Sequence, residues 1–409
     1  MVAAQPDAMA TALSTAKRDV RLLATAQAFL GSIAPIAIST GGLAGYQLLA
    51  ADKSLATAPV TGFNIGTALG AVLIALISSY LGLRGRFIFG TVLSMAGGVL
   101  AAIALLRADF WLFALGLLFL GLSAGFVQKI RFAAADLSPS FYKPKAISWI
   151  LGGGIVSAVV GPQVVILAKD LLEPVTFAGS FLAIIPIALI GAIIMTLVHF
   201  KPHVDHADGQ VIAPARPLSE IVANQRFITG MICGISSYAL MSFLMTGAPL
   251  AMVVGCGYSS DIATLGIQWH VMAMFAPSFV TGQLISRFGV EKIVAAGIVI
   301  LMGCAAMAAA GIAVWNFWGA LVLLGVGWNF GFIGSTAIVS ASYKPNEADK
   351  VQGFHDIILF TIVALSSFGA GKMFNAYGWF AMNLVVWPVA IVCLILLFAL
   401  MRKNPVKVG

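Results

Sequence analysis

The sequence predicts an all-α membrane protein whose twelve transmembrane helices form two pseudo-repeated six-helix bundles. Three observations predict it. About twelve long apolar stretches fill the 409 residues. Hydrophobic residues make up 60% of the chain and charged residues 9%, against about 25% charged in soluble domains, so most of the surface must face lipid. Almost all lysines and arginines lie in the gaps between the stretches, and they favour every second gap.

A bilayer-crossing helix needs about 20 apolar residues. In order, the stretches that meet this length are 22–49, 59–81, 87–106, 111–135, 146–168 and 176–198, then 227–254, 262–285, 293–313, 317–341, 352–371 and 378–400. The 43 glycines suit membrane helices whose backbones approach closely. Residues 1–21 are polar, lack the apolar centre of a secretory signal peptide, and read as a cytoplasmic tail, as do 402–409. The longest polar interruption, 199–226, reads as a central cytoplasmic loop between one bundle at 22–198 and a second at 227–401.

Charge gives the orientation. Lys17, Arg18, Arg21, Arg84, Arg86, Lys143, Arg216, Arg287 and Lys350 fall on one set of alternating loops, while the opposite loops hold Lys53, Arg107, Lys169 and Lys372. The positive-inside rule then places both termini in the cytoplasm. The net charge of +8 is thus a topology signal rather than a nucleic-acid footprint. Cys233, Cys256, Cys304 and Cys393 all lie in apolar stretches without C-x-x-C spacing and read as small buried side chains, not as disulfide or metal partners.

The two halves resemble each other. Residues 75–82 (ALISSYLG) match 282–289 (GQLISRFG) at an offset of 207, which also maps Gly90 onto Gly297. An offset of 206 aligns Gly121 and Gly125 with Gly327 and Gly331, and Pro139 with Pro345. Repeated halves around a midplane site are the architecture of alternating-access transporters.

These residues carry a family resemblance. The chain resembles the major facilitator superfamily over nearly its whole length. That family's loop signature, G-x-x-x-D-R-x-G-R-R, is similar to Ser79, Gly82, Arg84 and Arg86 in the first half and to Gly282, Ser286, Arg287, Gly289 and Lys292 in the second. Serine replaces the family's aspartate in both copies. The resemblance implies a gating loop whose cations grip a neighbouring helix end. Gly161-Pro162 matches only the core of the antiporter signature, which argues against a proton-coupled drug exporter. The stretches from Gln128 to Asp136, from Gln268 to Ser278, around Asn329 and from Tyr343 to Glu347 are similar in style to proteobacterial permeases that include rhizobial-type riboflavin transporters.

Polar groups inside a bilayer are expensive, and each needs a reason. Asn329 offers an amide edge for a heterocycle, or a bridge between helices; Trp328 beside it offers a stacking face. His270, with Trp269 next to it, is a proton-coupling group or a neutral imidazole bonded to a helix carbonyl. Gln128 and Arg131, three apart on one helical face, are substrate or gate contacts, or Arg131 is a structural cation reaching the interface. Tyr238 and Asn64 are cavity-lining candidates. His199, His203 and His206 with Asp205 and Asp208 read as a solvated loop rather than a metal site. The sequence has no phosphate loop, zinc motif or nucleophile–base constellation, so neither enzyme chemistry nor a cofactor is expected.

The spans carry almost no carboxylates, which disfavours a cation or polyamine as substrate. Amides, hydroxyls and aromatics suit a neutral or weakly anionic organic solute held by stacking and hydrogen bonds. The expected function is secondary transport of such a solute by a monomer, with the proton as a candidate coupling ion and uptake of a riboflavin-like heterocycle as the named substrate. The rivals are efflux of amphiphilic compounds and a non-transporting scaffold or receptor.

Overall fold

The computed structural model describes residues 6–77, 80–139, 141–200 and 216–403. Ser79 of the first loop motif, and His203, Asp205, His206 and Asp208 of the central loop, lie outside the described residues. Among the described residues, every regular element is helical.

The first span is α1 (Pro6–Leu30) followed by α2 (Ile33–Leu48). The polar segment expected as a tail over 1–21 is therefore helical from Pro6, and Asp19 and Val20 are buried in it. Hydropathy carries no sign of this, but the segment's Ala, Leu, Lys and Arg content favours helix. Next come α3 (Ala58–Leu76), α4 (Leu83–Leu106), α5 (Phe110–Val127) with its continuation α6 (Ile130–Asp136), α7 (Lys143–Ala168), and α8 (Ala178–Leu182) running into α9 (Ile184–Leu197). After the short α10 (Leu218–Val222) the pattern resumes with α11 (Gln225–Leu250), extended by a π turn at Ala251–Gly255. Then follow α12 (Ser260–Phe275), α13 (Ser278–Phe288), α14 (Val290–Ala309) and α15 (Val314–Trp328). A π turn at Asn329–Ile333 leads into α16 (Gly334–Ser340), and α17 (Ala348–Leu384) and α18 (Val386–Lys403) close the chain.

Among the described residues, nine helical runs, several joining consecutive elements, are long and apolar enough to cross a membrane. The other spans have local causes. The apolar part of α3, Ala58–Ile74, is short. The eighth span is cut at Pro277 into α12 and α13, because proline lacks the N–H that would continue the ladder. Lys350–Lys403 holds two spans in one run, divided at Gly378, whose φ of 73° breaks the helix and favours glycine. Twelve spans result.

The chain forms two compact units, one of Met1–Leu49 with Gly62–Val204 and the other of Ala50–Thr61 with Asp205–Gly409. In the first unit α3 and α5 interlock at backbone distance. A Cβ on Gly66 would strike the Leu118 carbonyl, one on Gly70 the Leu122 carbonyl, and one on Gly121 the Phe63 carbonyl. Packing rather than hydrophobic transfer drives such contacts in lipid. Nearby, the buried Ser94 and Ser123 hydroxyls bond each other between α4 and α5, and Phe113 meets Phe181 edge-on at 5.3 Å.

Of the glycines that marked the repeat, Gly90 and Gly297 each face the next span of their own half, whereas Gly121 packs on Phe63 of α3 and Gly327 on Leu301 of α14. Gly90 of α4 packs on Phe126 of α5, and Gly297 of α14 packs on Gly327 and Gly331 of the tenth span. In the second unit, the Ser242 and Ser367 hydroxyls join α11 to α17 at 2.7 Å. Cys233, Cys304 and Cys393 are buried and Cys256 is partly so; all four are free thiols.

On the face where the central loop rejoins the second unit, Glu347 is 1% exposed. Its Oε1 accepts from the Arg216 backbone N–H at 3.0 Å and from Nε at 2.8 Å. Oε2 accepts from Arg216 Nη2 at 2.8 Å and from the Lys344 backbone N–H at 2.8 Å. The bidentate Arg216 guanidinium holds the Glu347 carboxyl well below the usual carboxylate range. A carboxyl lowered in the folded state stabilises fully above its unfolded value of 4.5, and that contribution falls progressively as pH drops from there toward the much lower folded value. Glu347→Gln is therefore expected to lower the melting temperature at pH 7 by several degrees, with the gap to the parent starting to narrow below pH 4.5 and shrinking steadily as pH falls further. Differential scanning fluorimetry across pH checks this. Equal melting at neutral pH would remove the pair from the stability account.

Candidate substrate-binding site

The second unit gathers four aromatic side chains from three spans. Tyr238 comes from the middle of α11, Trp328 from the end of α15, Phe332 from the π turn, and Phe360 from α17. Trp328 and Phe332 are four residues apart, so they share a helix face, and their rings stack at 5.3 Å with 17° between planes. Tyr238 meets Trp328 edge-on at 5.5 Å and Phe332 edge-on at 5.1 Å. Phe360 meets Tyr238 at 6.4 Å. Trp328 is 9% exposed, and its indole N–H is buried with no hydrogen-bond partner among the described residues. Leaving such a donor unpaired costs about 1–3 kcal/mol. The group therefore holds four rings in contact around Tyr238 and Trp328, with one unused donor.

Asn329, next to Trp328, is differently placed. It is fully buried. Its Oδ1 accepts from the Thr281 hydroxyl at 2.6 Å, and its Nδ2 donates to the Met274 carbonyl at 2.7 Å and the Ser278 hydroxyl at 2.6 Å. These bonds fill the amide and fasten the π turn to the break between α12 and α13. Of the two readings of Asn329, the geometry favours the bridge.

His270 is also fully buried. Its Nδ1 lies 2.8 Å from the Leu321 carbonyl of α15, so Nδ1 carries the hydrogen and donates. Nε2 is buried without a partner among the described residues. Trp269 is 43% exposed and does not share this environment, because adjacent helix residues point apart. A sealed imidazole bonded to a backbone carbonyl fits a brace between α12 and α15. His270→Gln is expected to reduce folded protein while leaving the pH profile of the remaining transport unchanged. A displaced profile in transport assays would give the imidazole a part in coupling.

The first unit holds Asn64, half-buried on α3, and Gln128 and Arg131, both exposed. Gln128 closes α5, and Arg131 belongs to α6 beyond the intervening turn. Their three-residue spacing therefore spans a helix break, not an unbroken face. The Arg131 guanidinium lies 4.8 Å from the Phe132 ring centroid. Of the loop residues, Arg84 Nη2 donates to the Val198 carbonyl at the end of α9 at 2.8 Å. Arg86 is half-buried, and Gly82 precedes α4. In the second copy Gly282 lies on α13 in open space, the Ser286 hydroxyl bonds back to the Gln283 carbonyl, Arg287 lies over the Phe288 ring at 5.3 Å, Gly289 makes the turn at φ 90°, and Lys292 lies in the first turn of α14. Sequence reasoning missed Phe332 and Phe360. The four-residue step from Trp328 to Phe332 was the available signal.

A model of the Major Facilitator Superfamily matches residues 20–367 of the chain. This chain belongs to the Major Facilitator Superfamily. It is a multi-pass membrane transporter and not an enzyme. Among its superfamily relatives, the riboflavin transporter RfnT of Brucella anthropi is 45% identical over 395 residues, covering 97% of this chain and 98% of that protein. The uncharacterized MFS-type transporter YddS of Bacillus subtilis is 28% identical over 87% of this chain and 84% of that protein. Solved superfamily structures share the fold. The D-xylose-proton symporter aligns with a TM-score of 0.70 at 14% identity, over 94% of this chain and 97% of that one. The nucleoside transporter NupG aligns with a TM-score of 0.63 at 15% identity, over 96% of this chain and 100% of that one.

Proposed function

We propose that this superfamily member takes up riboflavin, or a closely similar flat vitamin-like heterocycle, across the bacterial inner membrane by alternating access. The observation that carries the reading is the 45% identity, over nearly the full length of both chains, to a protein named as a riboflavin transporter. The aromatic group supports it independently. An isoalloxazine is a flat tricycle with carbonyl acceptors on one edge. Trp328, Phe332 and Tyr238 supply ring faces and edges for the tricycle, and the unused Trp328 N–H is a donor for a carbonyl. In this reading both termini are cytoplasmic, the working unit is a monomer, and the proton is the candidate coupling ion. Asn64, Gln128 and Arg131 remain the first unit's own candidates for polar contact with a solute.

The test is growth of a riboflavin auxotroph at limiting vitamin. Expression of this chain is expected to restore growth. Membrane expression without rescue would overturn riboflavin as the imported solute.

A further inference from the structure

The sequence offset of 207 that relates the two halves reappears in a set of contacts unconnected with the aromatic group. Arg84 and Glu291 are 207 apart, and each is the second residue of its helix, α4 and α14. Asp19 and Arg226, on α1 and α11, are also 207 apart. In the second unit Arg226 and Glu291 form an ion pair at 2.7 Å, with the Glu291 side chain 9% exposed. In the first unit Asp19 and Arg84 grip consecutive residues at the exit of α9. Asp19 Oδ1 accepts from the His199 backbone N–H at 3.3 Å, and Arg84 Nη2 donates to the Val198 carbonyl at 2.8 Å. Asp19 is 2% exposed.

A third position follows the same register. Arg18 and Gln225 are 207 apart, and each reaches the end of the last span of its own half. Arg18 Nη1 donates to His199 Nδ1 at 3.0 Å, and Lys403 Nζ of α18 donates to Gln225 Oε1 at 2.9 Å.

The signs are inverted between the halves, acid then base in one and base then acid in the other. Helix electrostatics explains why the two copies close differently. Glu291 at the N-terminal turn of α14 is favoured by the helix dipole and can sit facing Arg226. Arg84 at the N-terminal turn of α4 is disfavoured there. It is satisfied instead by the Val198 carbonyl at the C-terminal end of α9, which also accepts from the Phe200 backbone N–H and where a cation is favoured.

We infer that Asp19–Arg84 and Arg226–Glu291 are two copies of one clamp, written in opposite charge order. Each ties the starts of the first and third spans of a half, with the end of its sixth, into a block that moves as one during transport. These are positioning residues; they do not touch the aromatic group. Their role is to keep the ends of the spans from separating under load, so the clamp acts on the rate of the cycle and not on substrate affinity.

The experiment is charge exchange in the full-length protein, with Arg226→Glu, Glu291→Arg and the double variant, and the matching Asp19→Arg and Arg84→Asp set. Each single variant is expected to lower the melting temperature of the purified protein by about 5 °C. Each is also expected to lower the maximal uptake rate with KM unchanged. The Arg226→Glu, Glu291→Arg double is expected to regain most of both losses. In the first half the exchange places an acid against the Val198 carbonyl and a cation against the His199 N–H, so the Asp19→Arg, Arg84→Asp double is expected to stay impaired. If a single variant fails to accumulate, accumulation of the second-half double alone decides. A second-half double no better than its worse single, or singles indistinguishable from the parent, would overturn the clamp. Melting is read without substrate, so the outcome stands apart from whether riboflavin is the solute.

Discussion

Gly121→Leu is expected to abolish accumulation of folded protein in the membrane. A Cβ at this position runs into the backbone carbonyl of Phe63, which cannot rotate away as a side chain can. The same interface is closed from the other side by Gly66 and Gly70 against the Leu118 and Leu122 carbonyls, so α3 has no room to slide along α5. Overpacking a side-chain core costs about 1–3 kcal/mol, and a clash with backbone that forces two helices apart exceeds that range. Gly152 is the control, because a Cβ there meets no neighbouring atom within 4 Å. Fluorescence-detected size exclusion of tagged protein reads both. A monodisperse Gly121→Leu peak at parental yield, or an equal loss for Gly152→Leu, would contradict the close-packed α3–α5 seam.

Trp328→Ala is expected to carry the largest effect on transport, a fall of roughly 100-fold in kcat/KM. Stacking of a base-like ring on an aromatic side chain is worth about 1–3 kcal/mol, and a donor to a ligand carbonyl adds about 0.5–1.5 kcal/mol. Trp328→Phe keeps a ring against Phe332 and Tyr238 but removes the N–H, so a loss of roughly tenfold or less is expected from the missing donor alone. The ordering is the informative part. Riboflavin uptake kinetics should rank parent above Trp328→Phe above Trp328→Ala, with comparable protein in the membrane. Unchanged kinetics in Trp328→Ala would remove the aromatic group from the substrate path.

The spans were legible in the sequence because a run of about 20 apolar residues is a local property. The start of α1 was not, since polar residues such as Lys17 and Arg18 form helix without raising hydropathy. The break at Pro277 had its signal in the proline itself, whereas the π turn at Asn329–Ile333 has no compositional mark. Site residues divided along the same line. Tyr238 and Trp328 were visible as aromatic side chains within spans, and they lie in contact. Whether Asn329 meets a ligand or a helix depends on Thr281 and Ser278, which are 48 and 51 residues away in sequence. The pairing of Glu347 with Arg216 crosses 131 residues, and that of Asp19 with the His199 peptide crosses 180. Such partners are set by tertiary packing, which neither periodicity nor motif spacing encodes.

The most direct measurement is entry of labelled riboflavin into proteoliposomes reconstituted with the purified chain. Saturable accumulation above protein-free vesicles, competed by unlabelled riboflavin and lowered in Trp328→Ala, is the predicted result. No entry of riboflavin in either orientation or under any proton gradient, from protein that is folded and reconstituted, would contradict it.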